Sequence, residues 1–269
     1  MGHSVRDLHD DAGLSPAERE AFQRDGFLIL RGFADAALVA TLEDVAAEHL
    51  RREIAPVEYE ADLHYPGAPE SRSAAGGRTV RRLLQAQGRH PAFTQWICEP
   101  RLLLRLRQLL GPEAHFGDGH MIFKPARIGA ETPWHQDEAY WDPGLDYRSL
   151  SIWVPLQEAK VENGCMWFVP GSQRLEVLPH RSVGGDVRIH ALEVLGADTD
   201  GAVACPLPPG GATFHGSRTL HYTGPNRSEI DRRAYILSGG LPAVPRTDGR
   251  SFPWNDVKQT ARQVRADAN

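Results

Sequence analysis

Residues 210–240 read GGATFHGSRTLHYTGPNRSEIDRRAYILSGG. Two short apolar runs in it, ATFHG (212–216) and AYILSGG (234–240), are bounded by glycine, proline and asparagine. That is the pattern of short strands separated by turns. Four similar runs come earlier: HMIFKPA (120–126), LSIWVPL (150–156), CMWFVPG (165–171) and VACPL (203–207). Helical spacing nearly vanishes beyond residue 112. This texture predicts an antiparallel barrel or sandwich, with a helical N-terminal part packed on it.

The N-terminal part reads as helices around one early strand. Ser15, Pro16 and Glu18 have the spacing of a capping box with proline at the first helical position, so a helix is expected to about Arg24. Asp25-Gly26 breaks it, and FLILRGF (27–33) reads as a buried strand. Residues 35–52 place Leu38, Leu42, Val45 and Ala46 on one helical face. Residues 90–111 read as two helices split at Pro100, whose leucine stripe belongs to the core. Residues 53–80, rich in proline, glycine, serine and charge, read as a long irregular loop.

Composition excludes several classes of function. The 269 residues are 41% hydrophobic and 24% charged, with a net charge of −5 and both signs interspersed. Nothing there favours nucleic acid or an anionic membrane. No apolar run approaches the ~18 residues of a membrane span. The opening MGHSVRDLHDDAG is polar and acidic, unlike a secretory signal, and Arg6 stands where a myristoylation motif needs serine or threonine. Three scattered cysteines, Cys98, Cys165 and Cys205, suit a reducing compartment, so a cytoplasmic protein is expected.

The stretch TPWHQDEAYWDP (132–143) sets His135 and Asp137 two apart. On a strand, alternate residues share a face, so an imidazole and a carboxylate at a strand end aim at one point. The spacing alone is weak, and a surface loop with two polar residues is the bland reading. His221 offers a third ligand from a distant strand, and two histidines with one carboxylate make the facial triad of non-haem iron. Arg232 follows eleven residues later, where a turn and a neighbouring strand would return it beside the metal to clamp a carboxylate. Arg233 would face the other way. His215, six residues before His221, lacks the eleven-residue spacing to an arginine and is read as core or lower pocket wall.

With these residues in view, the sequence resembles the phytanoyl-CoA dioxygenase-like branch of the Fe(II)/2-oxoglutarate oxygenases. LSPAEREAFQRDGFLILRGF (14–33), HQDEAYW (135–141), ENGCMWFVPGSQR (162–174), HYTGPNRS (221–228) and RRAY (232–235) carry the likeness, in order, over most of the chain. The resemblance implies a mainly β fold, a double-stranded β-helix (jelly roll, cupin-like) buttressed by N-terminal α-helices. It implies a single domain: a helical part over about 15–111, a jelly-roll core over about 112–240 and a tail over 241–269. It makes His135, Asp137 and His221 ligands of Fe(II), and Arg232 the anchor for the distal carboxylate of 2-oxoglutarate. It also places Trp153, Thr223 and His120 against that cosubstrate, with Arg81 or Arg82 as a further basic contact. The implied reaction uses O2 to hydroxylate an unactivated C–H bond of a small-molecule substrate, releasing succinate and CO2. Asp137 favours hydroxylation over halogenation, in which a small residue replaces the carboxylate. Trp134, Tyr140 and Trp141 are candidate substrate walls, and residues 53–80 and 176–200 candidate covers. A Zn(II) hydrolase or other cupin-type enzyme is the competing reading but leaves Arg232 without a role. A non-catalytic metabolite-binding jelly roll leaves the whole triad without one. Substrate identity and oligomeric state stay open.

Overall fold

The computed structural model describes residues 13–183 and 191–256. The residues 1–12 of the opening, residues 184–190 of the expected cover and the tail beyond 256 lie outside the described residues.

The described chain forms helices α1 (Pro16–Asp25), α2 (Ala36–Arg51), α3 (Pro91–Ile97), α4 (Pro100–Leu110) and α5 (Pro253–Asp256). The capping box at Ser15 is present, and Gly26 ends α1 at φ 83°, where any side chain would be strained. The early strands are β1 (Phe27–Leu30), β2 (Val57–Tyr59), β3 (Val80–Leu83), β4 (His115–Lys124) and β5 (Thr132–His135). Next come β6 (Leu145–Asp146), β7 (Ser149–Pro155), β8 (Met166–Phe168), β9 (His180–Ser182) and β10 (Leu192–Val194). The last are β11 (Val203–Cys205), β12 (Ala212–Gly216), β13 (His221–Thr223), β14 (Arg232–Gly240) and β15 (Val244–Pro245).

A seven-stranded antiparallel sheet runs β1-β12-β7-β14-β4-β3-β2, and a four-stranded one runs β11-β8-β13-β5. They face one another as the two layers of a double-stranded β-helix, without closing into a barrel. Alternation along the strands sorts the large sheet into two faces. Tyr235 and Leu237 of β14, Ile152 and Val154 of β7, Met121 and Phe123 of β4, and Phe214 of β12 pack with α2, α3 and α4 in one core. The intervening residues turn toward the small sheet. There Phe27, Ile122, Trp153 and Ala234 meet Met166, Phe168 and Cys205, and Phe27 stacks on Phe168 at 4.7 Å.

Two expectations need correction. Residues 53–80 are not one irregular loop: Val57–Tyr59 is a strand, Glu60–Asp62 a 3-10 turn, and β2 and β3 extend the large sheet. Asp137 is not on a strand with His135, since β5 ends at His135 and a 3-10 turn, Asp137–Tyr140, begins at the carboxylate. Among the described residues no helix is long and apolar enough to cross a membrane.

Candidate metal centre and cosubstrate pocket

Strands β13 and β5 are neighbours, and their register sets His221 directly opposite His135. Their rings come within 4.0 Å, centroid to centroid. Each imidazole is oriented by a backbone carbonyl two residues before it: Nδ1 of His135 donates to Pro133 O at 2.8 Å, and Nδ1 of His221 to Thr219 O at 2.9 Å. Those bonds place the hydrogen on Nδ1 and leave the Nε2 lone pair free to bind a metal. Burial pushes both imidazole pKa values down, which favours the neutral form a ligand needs.

The 3-10 turn brings Asp137 to the same point. Its Oδ1 lies 3.7 Å from His135 Nε2 and 3.5 Å from His221 Nε2. One ligand atom from each of the three residues falls within 4.8 Å of the others, a set that could hold a metal ion. Oδ2 points elsewhere: it accepts a hydrogen bond from Ser151 Oγ at 2.9 Å and faces His215 Nε2 at 3.7 Å. The two oxygens are thereby given different neighbours. Burial alone would raise the Asp137 pKa, but His221, His215 and His135 outweigh it and hold the carboxyl ionised.

The three side chains open into a cavity of about 250 Å³ between the sheets. Arg232, Trp153, Thr223 and His120 line it, as do Tyr140 and Trp141. Trp134 is not among its lining residues; it stacks on Tyr222 instead. Arg82, not Arg81, reaches the cavity. Arg81 is fully buried and holds Glu60, Ala130 O and Thr132 Oγ1. Burial, with Arg82 next in effect, pushes the His120 pKa down to about 3 and keeps that imidazole neutral.

Arg232 is fully buried, with its guanidinium over the Trp153 ring at 5.4 Å. Among the described residues none of its three guanidinium nitrogens has a hydrogen-bond partner, and neither does the buried hydroxyl of Thr223. Burial and then Arg81 push its pKa down to about 9, so the charge survives at neutral pH. Its register partner Lys124, also fully buried, donates to Ala130 O and Thr223 O. An uncompensated buried cation costs several kcal/mol in order of magnitude. A cavity that leaves one without a partner suits an anion, while burial pushes the Lys124 amine down toward its neutral form. Arg233 turns to the other face, where it meets Glu43 and Asp231.

The sequence reading missed Ser151 and the approach of His215 to Asp137; His215 itself, read as core or lower pocket wall, is buried and lines the cavity. Both were within reach of simple alternation: Ser151 shares a face with Trp153 on β7, and His215 lies across from Ser151 on β12.

Comparison with known proteins bears on the same residues. The Phytanoyl-CoA dioxygenase (PhyH) family model matches residues 22–234. Phytanoyl-CoA dioxygenase domain-containing protein 1 of Mus musculus is 26% identical over 262 residues, 84% of this chain and 90% of that protein. A probable alpha-ketoglutarate-dependent hypophosphite dioxygenase of Stutzerimonas stutzeri is 32% identical over 171 residues, 61% of this chain and 58% of that protein. The crystal structure of EvdO2 from Micromonospora carbonacea var. aurantiaca, complexed with 2-oxoglutarate, superposes with a TM-score of 0.74 at 35% identity. It covers 90% of this chain and 97% of its own.

Proposed function

The chain belongs to the phytanoyl-CoA dioxygenase (PhyH) family of Fe(II)/2-oxoglutarate-dependent oxygenases, and from that premise we propose that it hydroxylates an unactivated C–H bond of a small metabolite. In this reading His135, Asp137 and His221 hold Fe(II), and Arg232 holds the distal carboxylate of 2-oxoglutarate. The observation that carries it is the unpartnered, fully buried guanidinium of Arg232 in the same cavity as two inward-facing imidazoles and a carboxylate. Iron bound there supplies the redox chemistry that couples loss of CO2 from 2-oxoglutarate to oxygen insertion, leaving succinate.

The protein's own residues bind, orient and exclude water. Arg232 offers a planar two-donor fork to a carboxylate, and Thr223 a hydroxyl beside it. Trp153 walls the cosubstrate, with His120 two strands away, across Ile236 of β14. Ser151 keeps Asp137 Oδ2 engaged, so Oδ1 is the oxygen turned toward the metal. Tyr140, Trp141 and Ser238 line the rest of the cavity, where the substrate is placed. Free Cys98, Cys165 and Cys205 support work in the cytoplasm.

The test is anaerobic loading with Fe(II) and 2-oxoglutarate, then exposure to O2 with members of a metabolite library. Substrate-stimulated succinate release is expected with Fe(II) and none with Zn(II), which has no redox change to offer. Full turnover of a compound with Zn(II) and no O2 would establish a hydrolase instead.

A further inference from the structure

The residues on either side of Asp137 are fully buried and polar, and neither lines the cavity. Gln136 donates to Arg218 O at 2.9 Å and accepts from Leu178 N at 2.8 Å. Glu138 is the more unusual, a carboxylate with no exposed surface held by two arginines from distant parts of the chain. Its Oε1 accepts from Arg250 at 2.7 Å and from Arg218 at 3.2 Å. Its Oε2 accepts from Arg218 Nε at 3.0 Å and Ser217 Oγ at 3.2 Å.

Arg218 lies three residues before His221, so it joins the approach to one ligand with the residue after another. Arg250 comes from the segment that follows β15. It also donates to Pro143 O at 3.2 Å and Leu145 O at 2.8 Å. Four and five residues on, the same segment adds Trp254 Nε1 to Ala139 O at 2.9 Å and Asn255 to Ala139 O and Trp141 O at 3.0 and 3.2 Å. The C-terminal segment thus grips the turn 137–146 along its length, and that turn carries Asp137, Tyr140 and Trp141 into the cavity.

We propose that Glu138, Arg218 and Arg250 are positioning residues. Together they lock the Asp137 turn to the His221 loop and let the C-terminal segment set the geometry of the triad. The proposal rests on the reading that His135, Asp137 and His221 hold Fe(II). A 3-10 turn of four residues closes few hydrogen bonds of its own, Ala139 N to Gln136 O and Trp141 N to Glu138 O, so its remaining anchors come from other parts of the chain. The charged anchors supply what the turn lacks.

The experiment compares full-length parent, Arg250→Ala, Arg250→Lys, Glu138→Gln and, as control, Arg246→Ala. Arg246 sits on the same segment and pairs with Asp248; its longer approach to Asp146, 3.7 Å, is at the end of the turn far in sequence from Asp137. Each metal-free protein is melted, then titrated anaerobically with Fe(II) and 2-oxoglutarate while the visible charge-transfer band of the chelate is followed. Arg250→Ala and Glu138→Gln are expected to weaken Fe(II) binding about tenfold or more and to shift the band. Arg250→Lys keeps the charge without the fork and falls between. Arg246→Ala keeps parental iron affinity and band. Parental affinity and band in Arg250→Ala, or an equal loss in Arg246→Ala, overturn the proposal while the iron assignment stands. If Arg250→Ala does not fold, parental behaviour of Arg250→Lys overturns it alone. A parent that binds no Fe(II) and forms no band sinks the iron assignment, and this proposal with it.

Discussion

Arg81 and Arg232 are both fully buried, and Arg232 feels the charge of Arg81, yet the two are treated in opposite ways. Arg81 has a carboxylate, a hydroxyl and a carbonyl around it, with Glu60 Oε2 at 2.9 Å. The Arg232 guanidinium has no hydrogen-bond partner among the described residues. Desolvating a guanidinium costs the same chemistry in either place. Arg81 recovers that cost inside the fold, so its role is structural. Arg232 is left to recover it from a molecule that arrives. A buried charge says little by itself; the presence or absence of its partner separates scaffold from site.

The largest expected effect tests the empty side of this comparison. Arg232→Ala should weaken 2-oxoglutarate binding by a factor of hundreds to thousands, on the order of 3–5 kcal/mol, in anaerobic titration of the Fe(II) protein. The melting temperature without ligand should not fall, because removing a buried charge that has no hydrogen-bond partner offsets the loss of its packing on Trp153. Arg233→Ala is the control: its partners Glu43 and Asp231 are on the other face, so it should keep parental affinity and lose no more than ~1 kcal/mol of stability. Equal 2-oxoglutarate affinity in Arg232→Ala and parent would break the comparison.

Glu60→Gln tests the filled side. It leaves Arg81 buried beside a neutral amide, and breaking a buried pair costs about 3–5 kcal/mol, so the amide, which still accepts a hydrogen bond, should cost somewhat less. The loss should appear in the urea midpoint and not in 2-oxoglutarate affinity. An unmoved midpoint would mean Arg81 needs its carboxylate no more than Arg232 does.

His180 sharpens the contrast with a group buried because it is neutral. Its Nε2 accepts from Gln136 N at 3.2 Å and its Nδ1 donates to Leu178 O, and burial pushes its pKa down to about 4. A histidine whose folded pKa lies below its unfolded value of about 6.5 contributes its full stability above that pH. The contribution is lost as pH falls toward 4, up to about 3 kcal/mol. Chemical denaturation between pH 7 and 4 should therefore fall more steeply for the parent than for His180→Gln. Parallel profiles would show that His180 is not held neutral.

What the sequence disclosed follows from range. The cap at Ser15, the break at Pro100 and the short strands between turns are written in neighbouring residues, and the structure has them where those residues put them. The spacing from His221 to Arg232 was readable because one turn and one strand start set it. Val57–Tyr59 was not, because a three-residue strand in a polar, proline-rich stretch owes its existence to pairing with β3. The choice between Arg81 and Arg82 turned on which face of β3 meets the cavity, a matter of register with β4. Glu138, Arg218 and Arg250 gave no local signal, since their chemistry exists only once residues 112 positions apart meet.

The pairing of β1 with β12, Phe27 opposite His215, has a consequence for how the protein is made. During synthesis FLIL leaves the ribosome long before its partner strand, and the segment is apolar and buried in the finished sheet. Until residues 212–216 emerge it has nothing to pair with, and an open, apolar strand is an invitation to aggregate. The central strand β14 comes later still, so the large sheet cannot set before nearly all of its strands are out. Folding is therefore dominated by contacts distant in sequence, which makes it slow. Expression in a heterologous host should improve with slower translation or added chaperone more than with any change at the metal centre.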